Sequence, residues 1–155
     1  PQQIQFNPVA FYSDILPSGS EDMAWSVGNL GFEMKLSTYV PDVIKTGVHN
    51  LGKELLSKIE PEIKIDDIKY FAIHPGGKKI LEAVEDELGI TKEDNRFAYR
   101  VLNNYGNMSS PTIVFVLNEL SEHLTEKDHG EYVFCMAFGP GLTLESALLK
   151  IEANG

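Results

Sequence analysis

Apolar residues at Ile44, Val48, Leu51, Leu55 and Ile59 recur at steps of four, three, four and four, which is one face of an amphipathic helix. Pro41 suits the first turn of that helix and Pro61 its end. Before it, Gly31 to Thr38 alternates Phe32, Met34 and Leu36 with Glu33, Lys35 and Ser37, the period of a strand. Gln3 to Leu16 is extended in character, and Pro8 within it points to an edge or a bulge. Pro17 to Ser20 reads as a loop, and Glu21 to Asn29 admits either a helical turn or a strand. Asp66-Asp67 leads into a strand from Lys69 to His74. Gly77 to Leu88 follows as a helix with Leu81, Val84 and Leu88 inward, and Gly89 closes it. Asp94 is placed to cap a further helix through about Asn103, with Phe97, Val101 and Leu102 inward and Gly106 beyond its end.

Ser109 or Ser110 followed by Pro111 signals one more helix start. The run Ile113 to Leu117 is β-branched, but helical spacing continues through Leu120 and Leu124, so a largely buried helix is predicted. A polar loop spans His123 to Gly130. Two strands, Tyr132 to Phe138 and Leu142 to Ile151, then meet at Gly139-Pro140-Gly141. The first of these is apolar on both faces and belongs in the centre of a sheet. Five strands separated by helices predict an α/β fold. The expected sheet is mixed, five-stranded and mostly parallel, covered by helices and ending in an antiparallel pair. No repeat or linker divides residues 1–155, so a single domain is expected.

Composition narrows the function. The formal net charge of −10 opposes a nucleic-acid partner, which would require a basic face. Apolar runs of about five residues are too short to span a membrane. A lone Cys135 excludes an internal disulfide and any multi-cysteine metal site, and it makes reduced cytoplasm the expected compartment. The abrupt Pro1-Gln2-Gln3 start, without Met, points to a processed chain or a fragment.

Three polar stretches stand out against this pattern. In Phe71-Ala72-Ile73-His74-Pro75-Gly76-Gly77 a titratable imidazole sits at a strand-to-helix turn, where glycines permit close approach and a helix start offers N–H donors. His74 is either a packed strand-end histidine or a ligand group. His49, His123 and His129 lack such surroundings and read as surface residues. In Asn104 to Ser110, Asn107 either caps the next helix or donates its side-chain NH₂ to an oxygen that becomes negative. Gly139-Pro140-Gly141 is a turn that could also line a pocket. Cys135 lies in an apolar strand without an adjacent base and reads as an inert thiol. Ser109 and Ser110 lack the context of a nucleophile elbow. The residues therefore offer two donors, His74 and Asn107, without an attacking group.

His74-Pro75-Gly76-Gly77, Tyr105 to Ser110 and Phe138-Gly139-Pro140-Gly141-Leu142-Thr143 stand in the order and spacing of the type III polyketide synthases. The chain resembles the C-terminal half of these chalcone synthase-like enzymes of the thiolase superfamily, from about Ile4 to Ile151. The stretch Asp22 to Val27 followed by Gly31-Phe32 looks like the bacterial branch. One departure is Ala137, where the family often has glycine before the Phe-Gly-Pro-Gly loop.

The resemblance implies a thiolase-like half and a Cys-His-Asn site whose cysteine lies in an N-terminal half absent from this chain. It implies that His74 and Asn107 are catalytic, and that Phe32, Phe138, Gly139, Pro140 and Gly141 line the substrate pocket. The implied reaction is decarboxylative condensation of malonyl-CoA with an acyl-CoA starter, as in a naringenin-chalcone synthase. It uses CoA thioesters as substrates and needs no cofactor or metal. The implied partners are the N-terminal half and a second copy in a homodimer, and the isolated chain is expected to be inactive. Two alternatives accompany this reading. One is half of a ketoacyl-carrier-protein synthase III-like condensing enzyme, against which Pro75-Gly76-Gly77 and Met108-Ser109-Ser110 argue. The other is a non-catalytic thiolase-fold binding module.

Overall fold

A computed structural model describes residues 3–154. Six strands and four α-helices run in the order β1 (Gln3–Ile15), β2 (Met23–Gly28), β3 (Gly31–Leu36), α1 (Val40–Leu56), β4 (Tyr70–Ile73), α2 (Lys78–Leu88), α3 (Arg96–Tyr105), α4 (Pro111–Ser121), β5 (Tyr132–Gly139) and β6 (Thr143–Asn154). The fold is α/β with a mixed sheet, as predicted. Its sheet differs from expectation in number and sense. It has four strands, not five, in the order β1-β6-β5-β4. Only β4 and β5 pair in parallel, while β1–β6 and β5–β6 are antiparallel.

The difference has a local cause. The alternating segment β3 does not join the main sheet but pairs with β2 in a separate hairpin, Gly28 opposite Gly31 across Asn29-Leu30. This also settles Glu21 to Asn29 in favour of a strand. Of the helical connections between main-sheet strands, only the one through α2, α3 and α4 ends in a parallel neighbour. β1 lies at the sheet edge, and its register with β6 shifts between Pro8 and Ala10, the bulge that Pro8 foretold.

The core follows the apolar periodicities. Ile44, Val48, Leu51 and Leu55 of α1 are wholly buried, and that helix packs on β1, β6 and α2. Residues 70–73 of β4 and 133–136 of β5 are all buried, so both faces of the parallel pair are covered. The Ile113–Leu117 run is helical, with Val116 and Leu120 of α4 buried. Gly89 ends α2 at φ 70°, where a side chain would be strained. Asp94 does not cap α3. Its carboxylate instead accepts from the Thr91 N–H at 2.7 Å and from the Thr91 hydroxyl at 2.6 Å, and α3 starts at Arg96. Among the described residues no helix is long and apolar enough to cross a membrane.

The amino-terminal end of the parallel pair is held by one carboxylate. Asp128, buried in the turn before β5, accepts from Lys69 Nζ and from the Tyr70 hydroxyl, each at 2.7 Å. It also accepts from the backbone N–H and hydroxyl of Thr125 at 2.9 and 3.1 Å. Burial pushes this carboxyl up. The hydrogen bonds from Lys69, Tyr70 and Thr125 outweigh that and hold it far below its ordinary value of 3.8. Because the folded carboxyl gives up its charge less readily than the unfolded one, its contribution is complete above pH 3.8 and is lost as pH falls below that value. Asp128→Asn keeps the shape but turns a donor toward Thr125, and should destabilise the protein by about 2–4 kcal/mol in urea titrations at neutral pH. The same variant should show a shallower loss of stability on acidification below pH 4 than the parent.

Candidate active site

β4 rises through four buried residues and ends at Ile73, and the backbone carries the parallel ladder one step further. The His74 N–H donates to the Met136 carbonyl at 2.8 Å, which fixes the histidine at the carboxyl end of the strand pair. The Gly76 N–H then donates to the His74 carbonyl at 2.9 Å, and the chain turns into α2. His74 is buried, and burial lowers its imidazole below the ordinary 6.5, so the ring is neutral at pH 7. Among the described residues, no hydrogen bond engages either ring nitrogen.

Phe138 closes one side of the histidine. Its ring meets the imidazole edge-on, with centroids 5.4 Å apart and planes at 79°. The same phenyl ring explains why position 76 is glycine. A Cβ there would lie 2.8 Å from Phe138 Cε2 and 3.0 Å from Ile80 Cδ1. Gly77, by contrast, faces open space at the head of α2, beside a groove of about 350 Å³ bounded by Ser37, Val40, Pro41 and Lys78.

The second stretch reaches the first through one hydrogen bond. Asn107 Nδ2 donates to the Gly76 carbonyl at 3.2 Å, and Asn107 Oδ1 accepts from the Ser109 N–H at 2.9 Å. A donor on one side and an acceptor on the other fix which end of the carboxamide is which. Asn107 thus makes the turn before α4, the first of its two predicted roles, and its amide also donates to the Gly76 carbonyl. The third stretch arrives with β5. Phe138 pairs with Leu144 and Gly139 with Thr143, and Pro140, Gly141 and Leu142 form the loop. Gly141 has φ 117°, and its N–H donates to the Met23 carbonyl at 2.9 Å, so the loop carries the base of the β2–β3 hairpin.

The structure therefore joins His74, Gly76, Asn107 and Phe138 in one contact chain. It does not bring Phe32 into that chain. Phe32 lies near the hairpin tip, 76% exposed, with its ring edge-on to Trp25 at 6.3 Å. Gly139, Pro140 and Gly141 follow Phe138 at the turn into β6 and carry no side-chain donor. Cys135 is buried in β5, and burial pushes its thiol up to about 12, which removes it as a nucleophile. His123 is tied to structure: its ring nitrogens lie 2.6 Å from Arg100 Nη1 and 2.8 Å from the Glu119 carbonyl. Among the described residues, no three His, Cys, Asp or Glu side chains converge to hold a metal ion. Sequence reasoning missed the packing of Phe138 on both His74 and Gly76. That packing follows from the parallel pairing of β4 with β5, which no local sequence signal displays.

Residues 9–152 match the family of chalcone and stilbene synthases, C-terminal domain. The chain is 31% identical over 142 residues to Type III polyketide synthase B of Arabidopsis thaliana, covering 88% of this chain and 36% of that protein. It is 33% identical over 140 residues to the alpha-pyrone synthesis polyketide synthase-like Pks18 of Mycobacterium tuberculosis, covering 90% of this chain and 35% of that one. It therefore spans about a third of the length of these two curated relatives. Among solved structures, the C-terminal type III polyketide synthase domain of Steely1 from Dictyostelium superposes with a TM-score of 0.83 at 30% identity, over 94% of this chain and 40% of that one. A polyketide synthase from the brown alga Ectocarpus siliculosus superposes with a TM-score of 0.84 at 25% identity, over 94% of this chain and 39% of that one.

Gly76→Ala should crowd the Phe138 ring and open the histidine to water. In NMR titrations the parent His74 should show a midpoint below 6.5, and the alanine variant should move it upward. A histidine held neutral by burial makes the fold lose stability as pH drops through 6.5, and that loss should be smaller in the variant.

Proposed function

Since the chain belongs to the chalcone and stilbene synthase family through its C-terminal domain, we propose that it is the carboxyl-terminal part of a type III polyketide synthase-like acyltransferase. The protein as a whole would condense malonyl-CoA with an acyl-CoA starter. The observation that carries this reading is the Asn107 Nδ2 bond to the Gly76 carbonyl, which sets a second donor beside the histidine turn. Relatives such as Type III polyketide synthase B of Arabidopsis thaliana support the polyketide synthase class.

In the proposed reaction the thioester carbonyl of the malonyl unit lies against His74 and Asn107. The bond between the α-carbon and the carboxylate breaks, carbon dioxide leaves, and the electron pair passes to the carbonyl oxygen. Hydrogen bonds from His74 and Asn107 stabilise that oxygen as it becomes an enolate. The enolate carbon then attacks the acyl thioester of the starter, and a thiolate departs. The attacking cysteine that holds the starter would lie in an N-terminal half, as the resemblance to the family implies, and the buried Cys135 would not serve. His74 would keep that cysteine as thiolate. Phe138 and the Gly139-Pro140-Gly141 loop bound the space where the chain grows, with the hairpin and Phe32 beyond them. The reaction requires no resident cofactor, since the charge develops on one oxygen within reach of two donors. The full protein would be a homodimer of the cytoplasm, and residues 1–155 alone would not turn over substrate.

Release of labelled carbon dioxide from malonyl-CoA by the full-length enzyme tests this reading. His74→Ala and Asn107→Ala should each lower the rate by about 10²–10³ while the fold is retained. Parental rates in both variants would remove the proposed roles. Polyketide formation by purified residues 1–155 would refute the need for the other half.

A further inference from the structure

Ser109 is the only non-glycine described residue with positive φ, at 62°. A left-handed serine is uncommon and is held there by its surroundings. Its neighbours show how. Thr112, two residues into α4 and 0% exposed, turns its hydroxyl back onto the loop. That hydroxyl donates to the Ser109 carbonyl at 2.7 Å and accepts from the Met108 N–H at 2.8 Å. The Thr112 N–H donates to the same Ser109 carbonyl at 3.0 Å. One buried side chain thus pins both peptide groups that flank the αL turn.

The turn in turn orients Asn107. The Ser109 N–H, which the turn aims backward, holds Asn107 Oδ1 at 2.9 Å, and so directs Nδ2 toward the His74–Gly76 turn. We infer that Thr112 is a positioning residue for the site: its hydroxyl sets the Met108–Ser109 backbone that points the Asn107 carboxamide at the substrate oxygen. Thr112 itself touches no substrate. The inference rests on the reading of Asn107 as a donor to that oxygen.

The chemistry at position 112 is specific. Valine has nearly the same shape but offers neither acceptor nor donor, so it leaves the Met108 N–H without its partner and frees the Ser109 carbonyl from one of two bonds. Serine keeps the hydroxyl and loses only a methyl group. Cysteine, like serine, loses the methyl group, and its thiol weakens both bonds.

The experiment uses the full-length enzyme carrying Thr112→Val, Thr112→Ser and Thr112→Cys, with two readouts. NMR of the Asn107 side-chain amide, labelled with ¹⁵N, reports orientation independently of turnover. Steady-state malonyl-CoA decarboxylation reports kcat and KM. The expected result is that Thr112→Val shifts both Asn107 amide proton resonances and lowers kcat by about tenfold to a hundredfold with KM unchanged, as for loss of a transition-state interaction. Thr112→Ser should restore both readouts. If Thr112→Val does not fold, Thr112→Cys should show the same displacement of the amide resonances, to a smaller extent. Unmoved Asn107 resonances in the folded variants would overturn the positioning role. A kcat loss that Thr112→Ser does not recover would also overturn it. Displaced resonances with parental decarboxylation would leave the positioning intact and count instead against Asn107 as the donor.

Discussion

The structure depends on the parallel pairing of β4 with β5. Ile73 faces Met136 in that register, and the next N–H, that of His74, continues it. Parallel strands end on the same side, so the histidine turn after β4 and the Phe138 loop after β5 must emerge together. The crevice beyond the carboxyl ends of parallel strands is where such sheets bind ligands, because loops there are free to vary while the strands stay fixed. A one-residue slip would exchange the faces of β4 and part the imidazole from the phenyl ring.

The same pairing separates stability from chemistry. At its amino end, the buried Asp128 carboxylate gathers hydrogen bonds from Lys69, Tyr70 and Thr125. At its carboxyl end the polar groups are fewer and less paired: a neutral histidine and an asparagine with a free N–H. The network fixes the register from below, where a charged carboxylate is stabilised by donors that already surround it. The upper end holds donors without their acceptor, which is the arrangement expected where an acceptor is to be bound.

The helices were legible because their periodicity is also their packing. Ile44, Val48, Leu51 and Leu55 point inward in the sequence pattern and in the fold alike. The sheet was only partly legible. β3 alternates like a sheet strand, but its alternation serves a hairpin whose apolar side carries Trp25, Val27, Phe32 and Met34 in cross-strand pairs. Asn29-Leu30 is not a strong hairpin dipeptide, so the turn was hidden. Strand count and pairing sense are long-range properties that no local period encodes. At the strand-to-helix turn, His74 was singled out by the glycines after it. Gly76 is a glycine because of Phe138, a contact across 62 residues of chain that spacing alone does not display. Thr112 carried no signal, since a threonine near a helix start is ordinary and only the loop it grips gives it a role.

Geometry and dielectric are supplied separately at this site. The orientation of Asn107 is fixed within the chain, by Gly76 on one side and the Ser109 turn on the other. Asn107 is nevertheless exposed, and the Tyr105 and Phe115 rings, which meet edge-on at 5.1 Å, are each more than a third open to water. A hydrogen bond to a developing oxyanion is strong only where water is kept out, since the same charge interaction weakens several-fold as the effective dielectric rises. Two aimed donors in water stabilise an enolate little better than water does. Aim is built into this fold by a threonine, a left-handed serine and a carbonyl, and the strength of such a donor follows from the exclusion of water around it.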